Sequence, residues 1–299
     1  SKQNRAENTR KAAVSMFGVG IPPAAQQNFQ GYSGTAPPPK KTTKSYGPPE
    51  PAIKHVFNWR NATWSKHECM VQLDNEPFQE GTLRVIFFLK DLSLPPDQQE
   101  CVSKLSKDPM DGPQGYFLDV EMQGKAKAYA DMFNSKLPPK RIDFVVPCVL
   151  EFKRRTARNG HGRLYMGVEQ MIHGEYKKHS NNYGFVSPED RNTPAAFSHF
   201  TFHASGQKLL VCDIQGVGDT YTDPQIHSSD GSQRWGKADM GREGIQQFFA
   251  SHRCNAICEF LKLPVCGHKK PCDLQSALSG GKRALGPSNN HNIAAVPFM

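Results

Sequence analysis

The pattern of hydrophobic positions changes part-way along the chain, from short apolar runs to runs with helical spacing. The short runs are rich in β-branched and aromatic residues, which is typical of strands. The predicted strands are 78–90, 101–105, 142–152, 164–169 and 209–214, and the predicted helices are 119–134, 195–203 and 241–250. Strands come first, with one helix among them, and a mixed helical half follows. This order predicts an α+β fold of two lobes with a ligand cleft between them.

Both ends of the chain lack that pattern. Residues 1–50 hold seven Lys and Arg against two Asp and Glu, together with seven of the 23 prolines. Few aliphatic residues are available there for burial, which predicts a disordered arm that either attracts acidic partners or only solubilises the chain. The stretch from 276 to 299 is rich in Gly, Ser and Asn and is predicted to be a flexible tail. One compact region, 51–275, remains between them.

Composition narrows the class of protein. The net charge of +9 lies mainly on the basic arm, and no apolar run is long enough to span a membrane. The N-terminus has no apolar core of a secretory leader. Eight cysteines at irregular distances, some in apolar runs, favour reduced thiols over a disulfide framework. We therefore expect a cytoplasmic protein without a membrane partner.

The run that ends at Asp213 carries the first candidate chemistry. Core packing does not require Asp213 and Gln215 at the end of a buried strand, whereas Mg²⁺ is held by oxygens of this kind. Gly216 and Gly218 allow a sharp turn, across which Asp223 can face Asp213. The alternative is an ordinary turn in which the aspartate caps its own backbone.

A second motif has the pattern H-x-C-x-x-x-C. His252, Cys254 and Cys258 supply three of the four ligands that tetrahedral zinc requires, and on a helix the two sulfurs would point the same way. The alternative is a pair of ordinary buried cysteines. Cys266 and Cys272, which flank His268, are interpreted as part of a loop.

A lysine inside a predicted strand is a third candidate. Lys104 lies in the apolar segment 101–105, where a charge is costly unless it is paired. Glu121 in the first predicted helix could reach such a lysine. The alternative is that Lys104 extends outward into solvent.

Together these segments resemble the alpha-kinase family of atypical protein kinases, from about Phe78 to Leu263. Three motifs carry the resemblance, in order: Ala196-Phe197-Ser198-His199, Asp213-Ile214-Gln215-Gly216-Val217-Gly218 with Asp223-Pro224, and His252-x-Cys254-x-x-x-Cys258. The resemblance implies a two-lobed kinase-like fold over 51–275, with an N-lobe β-sheet and helix and a C-lobe with structural zinc. It also implies ATP- and Mg²⁺-dependent phosphorylation of a protein substrate on Ser or, preferentially, Thr.

The resemblance then implies a role for each matching residue. Asp213 is similar to the catalytic aspartate, and Lys104 to the lysine on the ATP phosphates. Gln215 and Asp223 correspond to Mg²⁺ ligands, and His199 to the fourth zinc ligand beside His252, Cys254 and Cys258. The other implied ATP contacts are Gly81, Arg84, Glu169 and Met171, the last two at the hinge that meets adenine. Gly236, Asp239 and Gly241 form a glycine-rich loop, and Arg191 and Thr193 match a regulatory phosphate site.

Two positions depart from the family pattern. Asp239 stands where members usually have Asn, and a carboxylate cannot donate a hydrogen bond and adds negative charge near phosphate. Ser103 replaces an alanine beside Lys104. Asp239 supports the alternative of an inactive pseudokinase that binds nucleotide or partners. A zinc-dependent nucleic-acid-binding module is a second alternative, but the placement of charge on the arm argues against a nucleic-acid partner.

Overall fold

A computed structural model of the protein describes residues 43–184 and 192–265. Its strands are β1 Glu50–Asn58, β2 Thr63–Leu73, β3 Gln79–Glu80, β4 Arg84–Asp91, β5 Glu100–Ser106, β6 Asp143–Phe144, β7 Cys148–Thr156, β8 Arg163–Gln170, β9 Tyr176–Lys178, β10 Leu209–Cys212, β11 Gln215–Val217, β12 Thr220–Thr222 and β13 Gln225–Ser228. Its helices are α1 Pro113–Ser135, α2 Asn192–Ala204, α3 Gly241–Ser251 and α4 Ala256–Phe260. Most of the predicted arm, the predicted tail, Arg191 and the Cys266–Cys272 segment lie outside the described residues.

The first lobe is built on a seven-stranded sheet with the order β2-β1-β7-β8-β5-β4-β3. A further pairing of β2 with β4 brings the sheet round on itself, so that one face encloses a core. That core contains Leu89, Leu150, Phe152 and Met166, which alternate with outward-facing residues along their strands. Residues 43–49, assigned to the arm from composition, lie against this sheet: the Gly47 N–H donates to the carbonyl of Leu73.

Helix α1 crosses the outer face of the sheet and begins six residues earlier than predicted. Proline is well tolerated at the first helical position because its missing N–H would be unbonded there, so Pro113 can open the helix. Gly124 lets the helix approach the sheet closely, since an added Cβ would lie 2.9 Å from the Phe57 ring. Trp64 Nε1 donates to Glu121 (2.9 Å), so Glu121 does not pair with a buried lysine as predicted.

The predicted strand 142–152 is interrupted. Pro147 lacks the N–H that a continuous ladder needs, and the segment divides into β6 and β7. Strand β7 stays in the first lobe, whereas β6 joins the second lobe by parallel pairing with β12. The interruption therefore sends one stretch of chain from the second lobe into the first.

The second lobe combines a four-stranded sheet, β6-β12-β11-β9, with the β10–β13 pair and helices α2, α3 and α4. Its core contains Phe133, Phe144, Phe197, Ile214 and Tyr221. Helix α4 begins after Asn255, whose side chain accepts hydrogen bonds from the N–H groups of Ile257 and Cys258. Cys254 therefore precedes the helix, so the helical alignment considered for the two sulfurs does not apply. Among the described helices, none is both long and apolar enough to cross a membrane.

Candidate active site and His/Cys cluster

A buried lysine and two carboxylates meet where the lobes come together. Lys104 Nζ, from β5, lies 2.7 Å from Glu169 Oε1 on β8. It also lies 2.6 and 2.7 Å from the two carboxylate oxygens of Asp223, which follows β12 in the second lobe. Burial opposes the charge of the lysine, but Asp223 and Glu169 outweigh it and raise the pKa of Lys104. Lys104 is therefore held as a cation, and it does not extend into solvent.

Two aspartates of the site have unusual backbone conformations. Asp213 (φ 56°) and Asp223 (φ 50°) are both left-handed, which is uncommon for residues other than glycine and tends to occur at functional sites. Gly216 allows the hairpin between them to close tightly, because a Cβ there would lie 2.1 Å from the carbonyl oxygen of Thr220. The structure thus brings Asp213, Gln215 and Asp223 to one place, as predicted from their spacing.

Hydrogen bonds fix the orientation of Gln215. Its Nε2 donates to Asp213 Oδ2 (3.3 Å) and to the carbonyl of Asp223 (3.2 Å). Both amide hydrogens are then used within the loop, and Oε1 is left to serve as an oxygen ligand. Gln215 Oε1 and the Asp223 carboxylate form a donor set that suits Mg²⁺.

Lys178 is a site residue that the sequence interpretation missed. Its Nζ lies 2.8 Å from Asp213 Oδ1. Burial raises the pKa of Asp213, and the Lys178 cation opposes that rise. A lysine on the short strand β9, in a polar segment, gives no signal of its own, because its role depends on pairing of β9 with β11.

Arg84 lies on the same face of the sheet as Lys104. In the ladder, Ile86 pairs with Lys104 and Arg84 is two residues away, so their side chains project to one side. The Arg84 guanidinium contacts Asp119 (2.5 Å) and stacks over Tyr116 (4.9 Å). The Gly81 N–H donates to the Arg84 carbonyl (2.8 Å), which closes the turn before β4. These positions are compatible with the predicted phosphate contacts.

The predicted adenine contacts are more restricted than the resemblance implied. The Glu169 carboxylate is committed to Lys104 and to the hydroxyl of Thr222, which donates to Oε2 at 2.6 Å. The Met171 N–H donates to the carbonyl of Glu100 (3.0 Å) within the sheet. Glu169 could therefore contact adenine only through its backbone. Met171 could donate its N–H to adenine only if its hydrogen bond to the Glu100 carbonyl opened.

Asp239 does not face the cleft, so the expected charge beside the phosphates is absent from the described site. Its side chain is 1% exposed and accepts four hydrogen bonds inside the second lobe. The donors are the Ser228 N–H (2.9 Å), the Ser228 hydroxyl (2.6 Å), the Trp235 N–H (3.5 Å) and the Gly241 N–H (2.9 Å). Because all four partners donate, a carboxylate satisfies them better than an amide would. Gly236 and Gly241 have positive φ (89° and 60°) in the same loop.

The predicted zinc ligands come together in the second lobe. The ligand atoms of His199, His252, Cys254 and Cys258 all lie within 4.8 Å of one another. His252 Nε2 is 3.2 Å from His199 Nδ1, which is 3.9 Å from Cys254 Sγ, and Cys258 Sγ is 3.6 Å from His252 Nε2. A tetrahedron with Zn–N of about 2.0 Å and Zn–S of about 2.3 Å has edges of about 3.3–3.8 Å. Burial and His252 lower the pKa of His199 to about 3, which favours the neutral, ligating imidazole. The residues therefore fit a four-ligand zinc site.

The predicted regulatory phosphate site is only partly visible. Thr193 is buried in the first turn of α2. Arg191 lies outside the described residues, so this site stays a prediction.

The sequence profile of the alpha-kinase family matches residues 79–258, which is more than half of the chain and includes both sites. The chain belongs to the alpha-kinase family. It is 43% identical over 250 residues to Alpha-protein kinase 1 of Dictyostelium discoideum, covering 84% of this chain and 18% of that protein. It is 46% identical over 216 residues to Myosin heavy chain kinase B of the same organism, covering 72% and 29%. The chain thus spans less than a third of the length of these relatives.

The fold agrees with that of a solved alpha-kinase domain. The domain of Myosin-II Heavy Chain Kinase A in complex with AMP-PNP matches with a TM-score of 0.68 at 33% identity, over 74% of this chain and 98% of that one. The predicted α+β kinase-like fold and the predicted enzyme class, that of the alpha-kinase family of protein kinases, are thereby confirmed. The roles of individual residues in this alpha-kinase remain proposals.

Proposed function

We propose that this domain transfers the γ-phosphoryl group of Mg-ATP to a Ser or, preferentially, Thr hydroxyl of a protein substrate. One observation carries the proposal: Lys104 from the first lobe is paired with Asp223 from the second, beside Asp213 and Gln215. A cation for phosphate, oxygen ligands for a metal and a carboxylate for a hydroxyl therefore lie together. We also propose that the chain acts in the cytoplasm.

Nucleotide binding requires the ion pairs of the site to exchange partners. Lys104 and Arg84 would turn from Asp223 and Asp119 to the phosphate oxygens. The Asp223 carboxylate, released from Lys104, would then hold Mg²⁺ together with Gln215 Oε1. When bound, the ion supplies positive charge that stabilises the transferring phosphoryl group. Glu169, held by Thr222, keeps one contact with Lys104 throughout and so preserves the position of its ammonium group.

Asp213 would orient the acceptor hydroxyl. The new bond joins the hydroxyl oxygen to the γ-phosphorus as the bond from that phosphorus to the β–γ bridging oxygen breaks, and the hydroxyl proton passes to Asp213. Burial raises the pKa of Asp213, which makes its ionised form a better proton acceptor than an exposed aspartate. Lys178 limits that rise and holds the carboxylate in place.

We also propose that His199, His252, Cys254 and Cys258 hold a structural zinc ion. Four protein ligands would leave no open position for a reacting group, so the role of the ion would be in folding. The cluster joins α2 to the segments on both sides of Asn255.

Labelled ATP with Mg²⁺ and a Thr-containing basic peptide tests the proposed function. Asp213→Ala is expected to lower transfer by at least about a hundredfold, because it removes the group that orients and deprotonates the hydroxyl. ATP binding should be retained. Asp230→Ala, at an exposed turn outside the site, serves as the matched control and should transfer at the wild-type rate. Undiminished transfer by Asp213→Ala would exclude its catalytic role, and a wild-type protein that binds Mg-ATP without transfer would favour a pseudokinase.

The pseudokinase alternative has lost the feature that suggested it. Asp239 was its support, and this side chain faces the interior of the second lobe, where donors surround it. The charged groups of the cleft are those that transfer requires.

A further inference from the structure

Gln123 lies where helix α1 meets both lobes. Its side chain is 3% exposed and contacts three other segments of the chain. Nε2 donates to the carbonyl of Val145 (2.7 Å), and Oε1 accepts from the backbone N–H of Asp223 (3.0 Å). A longer contact, 3.4 Å, joins Nε2 to Glu169 Oε2.

These partners require an amide. The Asp223 N–H needs an acceptor and the Val145 carbonyl needs a donor, and a single glutamine supplies both. A carboxylate would present an acceptor to the Val145 carbonyl and a second negative charge to Glu169. An apolar side chain would leave the buried Val145 carbonyl and the partly buried Asp223 N–H without this partner, which is unfavourable.

Gln123 is hydrogen-bonded to the backbone of Asp223, which has an uncommon conformation. Asp223 is left-handed at φ 50°, and a non-glycine residue keeps such a conformation only where its surroundings determine it. The Asp223 N–H donates to Gln123, and Gln215 Nε2 donates to the Asp223 carbonyl. These two hydrogen bonds hold the peptide groups on both sides of Asp223. The direction of the Asp223 carboxylate depends on the same two torsion angles.

The position of Gln123 is in turn set by the first lobe. Helix α1 is attached to the β1–β2 hairpin by Trp59 Nε1, which donates to Asp131 (3.1 Å), and by Trp64 Nε1 on β2, which donates to Glu121. Gly124, next to Gln123, packs directly under Phe57. A rigidly placed helix can therefore hold the amide at a fixed distance from Asp223.

We propose that Gln123 is a positioning residue that sets the Asp223 backbone so that its carboxylate is directed at the Mg²⁺ of Mg-ATP. The inference rests on the proposed function of Asp223. It places part of the metal-binding geometry on helix α1, 100 residues away in the sequence. Gln123 itself touches neither the metal nor the nucleotide.

The test compares Gln123→Met with Gln72→Met. Gln72 is a partly buried glutamine whose Nε2 also donates to a backbone carbonyl, that of Gly47 (3.1 Å), but it lies on β2, which is separated from Lys104 on β5 by β4. Transfer is measured against Mg²⁺ concentration at saturating ATP, and ATP binding is measured separately in EDTA. Loss of a buried hydrogen bond of this kind is expected to raise the half-saturating Mg²⁺ concentration by about fivefold or more in Gln123→Met. Metal-free ATP binding should stay within about twofold of wild type, since no nucleotide contact is removed.

The outcomes separate this inference from the proposed function. An unchanged Mg²⁺ dependence in Gln123→Met, or an equal loss of metal-free ATP binding, would show that Gln123 is not a positioning residue for the metal. A shift of the same size in Gln72→Met would show a general effect on the fold. Absence of transfer in wild type and in Gln72→Met would count against the proposed function itself. If Gln123→Met does not fold, Gln123→Asn, whose amide is one methylene too short for these partners, provides the same comparison.

Discussion

The oxygen-lined site at the cleft and the His/Cys cluster of the second lobe differ in almost every physical respect. At the cleft the groups are charged, the two key aspartates are left-handed, and the Asp223 side chain is 48% exposed. In the cluster His199 is fully buried, and burial lowers its pKa to about 3, so that it is a neutral imidazole. One site is open and held by ion pairs, and the other is closed within an apolar core.

This difference supports our proposals that the cleft is a site for chemistry and the cluster a site for folding. In the proposed function Lys104 and Asp223 exchange each other for other partners, and a half-exposed carboxylate can do so at modest cost. Four ligand atoms that lie within 4.8 Å of one another, three of them on buried residues, have no comparable freedom. We therefore expect changes at the cleft to affect turnover and changes in the cluster to affect stability.

The largest effect is expected from Cys258→Ala. If the cluster holds the proposed zinc ion, removing one of its four ligands should release that ion and unfold the second lobe, because zinc binding contributes on the order of 10 kcal/mol in small structural sites. Zinc content per chain and the unfolding temperature measure this directly. A zinc chelator applied to the wild type should act in the same way, whereas magnesium withdrawal should stop turnover reversibly.

Cys212→Ala is the matched control, because Cys212 is equally buried in the same lobe but lies outside the cluster. It creates a small cavity and should cost about 1–3 kcal/mol while one zinc ion per chain is retained. Equal zinc content in both variants, or no zinc in the wild type, would show that the His/Cys cluster does not bind zinc.

The second prediction compares two lysines with equal exposure, 14%, in one sheet. Lys104→Met should lower kcat/KM for ATP by about 10²–10³-fold, because it removes the cation on the phosphates. Lys54 pairs instead with Asp91 (2.6 Å) inside the sheet. Lys54→Met leaves Asp91 buried without that partner and should lower the free energy of unfolding by about 3–5 kcal/mol.

Steady-state kinetics per folded molecule and denaturant unfolding distinguish the two lysines. Lys54→Met should retain wild-type kcat/KM for ATP once the unfolded fraction is subtracted. If Lys104→Met kept normal use of ATP, another cation, such as Arg84, would have to hold the phosphates.

Local sequence patterns predicted the elements and part of the site. The apolar runs placed β5, β8 and β10, and the spacing of Asp213, Gln215 and Asp223 predicted their convergence, because all three lie within one hairpin. Asn255 is a visible capping signal that could have placed Cys254 before the helix, and Pro147 could have predicted the break between β6 and β7.

Contacts between distant segments could not be predicted in this way. Lys104 meets Asp223 across 119 residues, and the Thr222 hydroxyl meets Glu169 across 53. Which face of a loop is buried is equally hidden: Asp239 was expected at the cleft and instead lies inside the lobe. Such placement depends on how distant strands pair in the sheets, and the hydrophobic periodicity of the sequence carries no information about that pairing.

The third prediction concerns that loop. The carboxylate of Asp239 now accepts hydrogen bonds from N–H and O–H groups. In Asp239→Asn the NH₂ of the amide would face some of these donors and could not accept from them, which should lower the free energy of unfolding by about 1–3 kcal/mol. Asp230→Asn, at an exposed turn where the carboxylate accepts from the Ser232 N–H, should change stability by less than about 0.5 kcal/mol. Thermal unfolding of both variants measures the difference. Higher activity with unchanged stability in Asp239→Asn would restore the original expectation that this side chain faces the cleft.

The smallest effect is expected at Lys178, on the pH dependence of transfer. Burial raises the pKa of Asp213 and the Lys178 cation opposes that rise. Asp213 must be ionised to accept a proton, so the rate falls as the pH drops through this raised pKa. Lys178→Met removes the opposing cation, raises the pKa further and should move the acidic limb of the pH–rate profile to higher pH. On that limb kcat should fall by a factor of about 1.5–5, as expected for an ion pair with one partly exposed member.

Lys177→Met provides the control for this profile. Lys177 precedes Lys178 on the same strand and therefore projects to the opposite side, where its Nζ lies 3.4 Å from Glu175 Oε1. Its loss removes the same charge from the same strand without touching Asp213, so the acidic limb should stay in place. A limb that moves equally in both variants would indicate a long-range effect of net charge. A limb that moves in neither would mean that the proton passes to a group other than Asp213.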